Sequence, residues 1–524
     1  MLTPLHRILA PVAIALAALA AAPDGARAQT PPGVLIVAQI AEPKSLDPHA
    51  VTAVNDFRIL MNVYDGLVRY KSGTLEVEPA LAESWEISED GTVYTFTLRE
   101  GVTFHDGSAL DAEAVVFNFE RMLNEDHPYH DTGPFPLSFF FSAVEAVEAV
   151  DARTVRFTLS EPYAPFLSNL AYPTGLIVSP AAVEEHGPDF GRNPSGTGPF
   201  RFVEWESNSR VVVERNPDHW DGAPSLEAVV FRPITDANTR VAEMLSGGID
   251  LMVEVPPDSI AQFESDPSYV VHEQVGPHVW FLILNAKEGP TADKKVRQAI
   301  NYAIDKQAIV ENVLQGTAEV AAGPVAPAFS WAYNEGLEPY PHDPEKARQL
   351  IEEAGAAGAE LTFYVTEGGS GMLDPVAMGT AIQADLEEVG FDVTIETYEW
   401  NTFLGKVNPG LEGKAHMAEM AWMTNDPDTL PFLTLRTDAF PDAGGFNSGY
   451  YSNPEVDALL EAARRSTDRD ERARLYREMQ EIVVEDAPWA FNANWKQNAV
   501  TSARVEGFQL EPSFFLLLDG VTKN

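Results

Sequence analysis

The stretch that most constrains this chain runs from Ala80 to Leu123 and reads ALAESWEISEDGTVYTFTLREGVTFHDGSALDAEAVVFNFERML. Glu89-Asp90-Gly91 is a turn signal, because Gly accepts the positive φ of a tight turn and Asp hydrogen-bonds its own backbone. The run after it alternates. Tyr94, Phe96 and Leu98 share one face, and Thr95 and Thr97 the other, as in a half-buried strand. His105-Asp106-Gly107 makes a second turn. Asp111 then stands as a helix N-cap before Val115, Val116, Phe119, Met122 and Leu123 at helical spacing. The local pattern is therefore hairpin, turn, amphipathic helix, with one apolar face on each element to bury.

A chain of 524 residues exceeds what one core holds, so two or three domains are expected. Its 45% hydrophobic content, with 28 Phe and 9 Trp, supplies those cores and argues against disorder. There is no cysteine. That excludes disulfides, Cys-ligated metals, thiol nucleophiles and lipid attachment at a Cys. The net charge of −44 repels nucleic acid and anionic membrane surfaces. Residues 1–28 read as a cleaved secretory signal peptide. His6 and Arg7 start it, Ile8 to Ala22 form an apolar run broken only by Pro11, and Ala26-Arg27-Ala28 is the cleavage site.

Further along, Val34 to Val37 reads as a buried strand, followed by a loop with two prolines, Glu42 to Pro48. Val51 to Tyr64 reads as a helix, and Val144 to Leu159 as a hairpin around Asp151-Ala152-Arg153. The grouped Phe135, Phe139, Phe140 and Phe141 are expected to pack in a core. Gly196-Thr197-Gly198-Pro199 is a fixed turn ahead of the strand Phe200 to Trp205. Val279 to Asn285 is a fully apolar strand, and Val296 to Leu314 carries a continuous helical stripe. Asp343-Pro344, Asp374-Pro375 and Asn453-Pro454 each place an N-cap residue before Pro at the first helical position. Strands Leu361–Val365 and Val393–Tyr398 alternate with these helices, which predicts an α/β lobe. Trp489 to Trp495 and Val500 to Phe508 are two further strands.

The whole string 80–123, the turn GTGPF at 196–200 and VRQAINYAIDKQAIV from Val296 resemble the family-5 solute-binding proteins of bacterial ABC importers, the peptide- and nickel-type receptors. The resemblance covers essentially the whole chain after the signal. It implies an α/β, two-lobed periplasmic-binding-protein fold of type II, in its large three-subdomain form. Lobe I would comprise 29–278 plus 490–524, with an inserted subdomain at roughly 71–192, and lobe II would be 279–489, with two crossing segments as a hinge. It further implies a periplasmic, unlipidated monomer that captures a peptide-like solute in the interlobe cleft and delivers it to ABC transporter permease subunits.

The candidate site is Trp422-Met423-Thr424-Asn425-Asp426-Pro427-Asp428, a polar cluster after a strand end. In peptide receptors of the family an Asp in the corresponding W-x-x-D segment holds the ligand ammonium. Here the third residue after Trp422 is Asn425 and the Asp comes one later. Three readings stand: Asp426 takes the ammonium, Asn425 leaves a neutral site, or Asp426-Pro427-Asp428 is a helix-start turn. Dipeptide-type members carry an Arg ahead of the helix that begins here at Pro375; this chain has Glu367-Gly368-Gly369-Ser370-Gly371-Met372 instead. Ser370 is a ligand-binding candidate, and two readings of the glycines stand: their N–H groups bind an anion, or they serve as a flexible loop. Trp400, Phe403, Trp422, Phe446, Tyr450 and Tyr451 are aromatic cleft candidates.

No cofactor and no metal are expected, since the 11 His form no H-E-x-x-H pattern, and His278 and His416 stand alone. Ser195 is not a hydrolase elbow, because its flanking glycines are misplaced for G-x-S-x-G. A receptor for a sugar, an opine or a metal–chelator complex is the alternative within the fold. A secreted hydrolase is the alternative of another class, without a motif to support it.

Overall fold

The computed structural model describes residues 30–369 and 371–524. The expected signal peptide and Ser370 lie outside them. The chain divides into two compact units. Among the described residues one comprises 30–160, Phe166–Gln274 and Asn498–Asn524; the other comprises Glu161–Pro165 and Val275–Gln497.

The first unit contains a mixed sheet. Val34–Gln39 lies parallel to both Ala228–Pro233 and Leu251–Val253. Arg210–Arg215 and Phe200–Glu206 extend it on one side as antiparallel strands. Residues 499–501 add to Leu251–Val253 on the other. Every residue of Val34–Gln39 is buried, as a strand flanked on both sides and covered on both faces requires. Ile36, Val230, Met244, Met252 and Phe263 form its core.

The stretch 80–123 builds a second, four-stranded antiparallel sheet in the same unit. Its order is Ala82–Ile87, Val93–Leu98, Thr154–Leu159, Val144–Asp151. Tyr94, Phe96 and Leu98 are buried while Val93, Thr95 and Thr97 are half-buried, as the alternation predicts. Asp111 caps Ala112–Leu123 by accepting from the Ala114 N–H at 2.9 Å. The helix then sets Phe119 edge-on against Phe157 of the sheet at 4.8 Å. Fully burying one such Phe contributes about 1.5–3 kcal/mol. Of the grouped phenylalanines, Phe135 and Phe141 are buried, whereas Phe139 is exposed.

In the second unit Glu360–Thr366 lies parallel to both Asp392–Tyr398 and Met417–Met423. His278–Leu284 pairs antiparallel to Met417–Met423 and to residues 489–493. Helices Lys294–Ala303, Pro344–Ala354 and Pro375–Glu388 contribute Ala299, Ile300, Leu350, Ile351, Met378 and Ile382 to one core with Trp280, Leu282 and Phe363.

Three local expectations need correction. The stripe at 296–314 is not one helix. Ile304 is extended, Asp305 recaps the chain at Ala308 N, and a π-helical turn follows at Ile309–Val313. A carboxylate that reaches the backbone two or three residues on competes with helix continuation. Asp374 does not cap its helix. It sits at φ 38° without a side-chain cap bond, whereas Asp343 and Asn453 both cap theirs. The strands expected at 489–495 and 500–508 begin as one unbroken strand, Trp489–Ser502, with Val505–Glu506 separate.

Candidate functional site

In the second unit three strands run parallel, so their carboxyl ends, Thr366, Tyr398 and Met423, fall at the same edge of the sheet. Loops that follow such ends form ligand crevices in open α/β sheets. Residues 367–374 and 424–428 are two of these loops.

In the second loop the carboxylates are already committed. Arg472 donates to Asp426 Oδ1 at 2.7 Å and to the Tyr476 hydroxyl at 3.1 Å. Asp426 Oδ1 also accepts from the Asp428 N–H at 3.0 Å, which sets the turn into the helix Thr429–Thr434. Two donors of Arg464, Nε at 3.0 Å and Nη2 at 2.7 Å, converge on Asp428 Oδ2. All four side chains are buried or nearly so. Burial opposes the Arg472 charge, but Asp426 outweighs it and holds the guanidinium above its ordinary range. Burial pushes the Asp428 carboxyl up, against the pull of Arg464. Asn425 is buried and accepts from the Thr429 hydroxyl at 3.3 Å.

The other candidates fall into three places. Trp422 meets Phe446 edge-on at 5.7 Å, and Phe446 is 41% exposed. These two, with Phe281, Met420, Ser448 and Trp489, line a small cavity of about 20 Å³. Phe281 and Trp489 stack at 4.1 Å. Trp400 stacks on Phe403 at 5.8 Å and lies against the glycine-rich loop. A Cβ on Gly369 would come within 2.4 Å of the Trp400 ring, so a larger residue there would displace the ring. Tyr450 and Tyr451 stand apart from these. Tyr450 has φ 56°, closes over Gly410 and carries the Lys287 ammonium 4.5 Å from its ring centre. Tyr451 donates to Asp486 at 2.7 Å.

The glycine-rich loop is held from below by two neutral groups. His278 is fully buried and its pKa is lowered to about 4 by desolvation. Its Nε2 lies 2.8 Å from the Gly371 carbonyl, and the Trp495 N–H reaches Nδ1 at 3.2 Å. Those two contacts define the Nε2–H tautomer. Glu419 accepts from the Thr366 N–H at 2.6 Å, and burial pushes its carboxyl up to about 8, so it carries its proton at neutral pH. His416 accepts from the Thr362 N–H at 2.9 Å. Among the described residues no group of three His, Asp or Glu side chains could hold a metal ion.

Sequence reasoning missed Arg464, Arg472, Glu419 and the Phe281–Trp489 stack. Arg472 stands in the run RDERARLYRE, where nothing separates the buried Arg from its solvated neighbours. Glu419 lies in an otherwise apolar strand, MAEMAWM, and that interruption was the available signal.

Two discontinuous α/β units with mixed sheets, one carrying an aromatic strand end followed by carboxylates paired to arginines, define a two-lobed solute receptor of the type II periplasmic-binding-protein fold. The chain belongs to the bacterial extracellular solute-binding proteins of family 5, whose middle-region model matches residues 76–443. It is 35% identical over 481 residues to heme-binding protein A of Haemophilus influenzae, covering 88% of this chain and 86% of that one. The structure of HbpA2 from Haemophilus parasuis matches with a TM-score of 0.87 at 32% identity, over 94% of this chain and all of that one. The ABC transporter-associated periplasmic binding protein DppA from Helicobacter pylori, solved with the peptide STSA, matches with a TM-score of 0.75 at 32% identity, over 94% and 98%. The family and these relatives are binding proteins, so this chain is a solute-binding component of transport and not an enzyme.

Proposed function

We propose that this protein is the periplasmic receptor of an ABC importer, exported by its signal segment, that captures a peptide-like solute as a monomer and hands it to the membrane permease subunits. Membership of the family, together with a relative solved around a peptide, supports this reading. The inserted subdomain is taken to be the part of the first unit built on the four-stranded sheet at 82–159. In the second unit the ligand-facing groups are taken to be Trp422, Phe446 and Asn425 at one strand end, with Trp400 and the glycine-rich loop at the next. The carrying observation is the aromatic pair Trp422–Phe446 at the strand end, with the polar, uncharged Asn425 three residues after Trp422 in the loop that follows. Aromatic rings supply contact area at low entropy cost, and the amide can serve as either donor or acceptor.

The pairing of Asp426 with Arg472 favours a second reading, a neutral cargo such as a sugar, since a carboxylate that already holds a guanidinium is a poor grip for a ligand ammonium. Opine and metal–chelate cargoes belong with that alternative. Native mass spectrometry of the protein as purified, followed by denaturation to free any bound molecule, separates the readings. A peptide mass supports the first, and a sugar or metal-chelate mass replaces the cargo while keeping the transport role. Release of a chemically altered product on incubation would overturn the receptor role itself.

A further inference from the structure

The first unit contains a cavity of about 260 Å³, walled by the end of helix Val54–Val63 with Tyr64 and Asp65, the hairpin Val68–Pro79, and the segment 507–520. The charges around it do not balance. Arg69 is taken up by Glu78 at 2.9 Å and Asp221 at 2.8 Å. Asp65 accepts from Thr197 and Trp220 and lies 3.6 Å from His219. Two acids remain. Glu511 is buried and accepts only neutral donors, the Ser72 hydroxyl at 2.9 Å and the Gly73 N–H at 2.7 Å. Asp519 stands exposed among the lining residues. Among the described residues neither forms an ion pair. A buried carboxylate without a counter-charge is costly to keep, and the open volume beside it is where a counter-charge fits.

Two further observations point to an organic occupant. Tyr64, Tyr70 and Phe515 are buried and line the cavity. The tyrosine hydroxyls already donate to the Leu46 and Ser168 carbonyls, so the rings contribute apolar and π surface. His219 is taken up as well: its Nδ1 lies 3.1 Å from the Gly222 carbonyl and its Nε2 faces Asp65 Oδ2 at 3.6 Å. No three acidic or His groups converge closely enough for a metal ion among the described residues.

We propose that this cavity is a binding site for a compact organic cation, an ammonium compound. Glu511 supplies the counter-charge, and Tyr70 and Phe515 the aromatic wall. The site lies wholly in the first unit and does not depend on the cargo proposed above.

The test is calorimetry on the full mature chain with choline and with its neutral isostere, 3,3-dimethyl-1-butanol. Choline is expected to bind saturably, one per chain, and at least roughly ten-fold more tightly than the isostere. Glu511→Gln is expected to erase that preference. Asp519→Asn, an exposed change that leaves folding intact, is expected to lower choline affinity a few-fold and flatten its salt dependence. Asn425→Ala, in the other unit, is expected to leave choline binding unchanged. Equal binding of the two probes, no saturable binding of choline, or a folded Glu511→Gln variant with undiminished binding would overturn the proposal. So would loss of choline binding in Asn425→Ala. If Glu511→Gln does not fold, an unaltered choline preference in Asp519→Asn would overturn it instead.

Discussion

Replacing Arg472 by Met separates a structural role for Asp426 from a ligand role. The guanidinium lies 2.7 Å from Asp426 Oδ1 and 3.1 Å from the Tyr476 hydroxyl, with both charged side chains buried. Met keeps the aliphatic volume and removes the charge, leaving the buried Asp426 carboxyl without its guanidinium partner. Breaking one side of a buried pair costs about 3–5 kcal/mol, whereas replacing both members by neutral groups is often close to neutral. Arg472→Met should therefore lower the unfolding free energy of the second unit by that amount, read as a lower urea midpoint at unchanged m-value. Arg472→Met/Asp426→Asn should recover most of it. The two units need not unfold together, so the transition must be followed by a probe confined to the second unit and not fitted as one step. Ligand must first be stripped by denaturation and refolding, because bound ligand adds its own stabilisation. Binding supplies the second arm. If Asp426 only sets the turn, Arg472→Met and Asp426→Ala should weaken ligand binding alike. If Asp426 grips an ammonium, Asp426→Ala alone should lose about 1.5–3 kcal/mol of binding while Arg472→Met retains it. An Arg472→Met protein as stable as wild type would refute the buried-pair reasoning.

Other expectations rest on the same geometry. Gly369→Ala should push Trp400 from the glycine-rich loop and change its fluorescence, since the new Cβ would lie 2.4 Å from the ring; an unchanged spectrum would contradict this. Asn425→Asp should raise affinity for peptides with a free ammonium over their N-acetylated forms, and equal affinities would remove Asn425 from the site. Glu419 is raised from 4.5 to about 8, so the stability it contributes is complete below about pH 4.5 and is lost as pH rises towards 8. Glu419→Gln should accordingly match wild type at acid pH and show a smaller loss of melting temperature up to pH 8. His49, His105 and His278 are each lowered from 6.5 to about 4, chiefly by burial, so their contribution is present above pH 6.5 and lost as pH falls towards 4. A melting temperature that stays flat between pH 6.5 and 4 would count against their being buried neutral.

Much of the fold was legible because it is written in short-range terms. The hairpin and helix of 80–123 follow from alternation, Asp-Gly turns and an N-cap, and each is a contest between a residue and its near neighbours. The break at Ile304 and Asp305 was not legible. The apolar stripe runs straight through it, and the competing Asp305 cap is visible only once the backbone is placed.

The candidate site divides the same way. The sequence by itself determined a two-lobed α/β receptor, the strand end at Trp422, the lack of an Arg in the glycine-rich loop and the neutral residue at 425. These depend on order along the chain. Only the tertiary structure decided that Asp426 is answered by Arg472, 46 positions away, and Asp428 by Arg464. It also placed Trp400 on Gly369 and set Glu511 beside a cavity with only the Ser72 hydroxyl and the Gly73 N–H, among the described residues, as its donors. Whether a carboxylate is available to a ligand depends on which charge shares its low-dielectric surroundings. That partner comes from elsewhere in the chain, and no local pattern announces it.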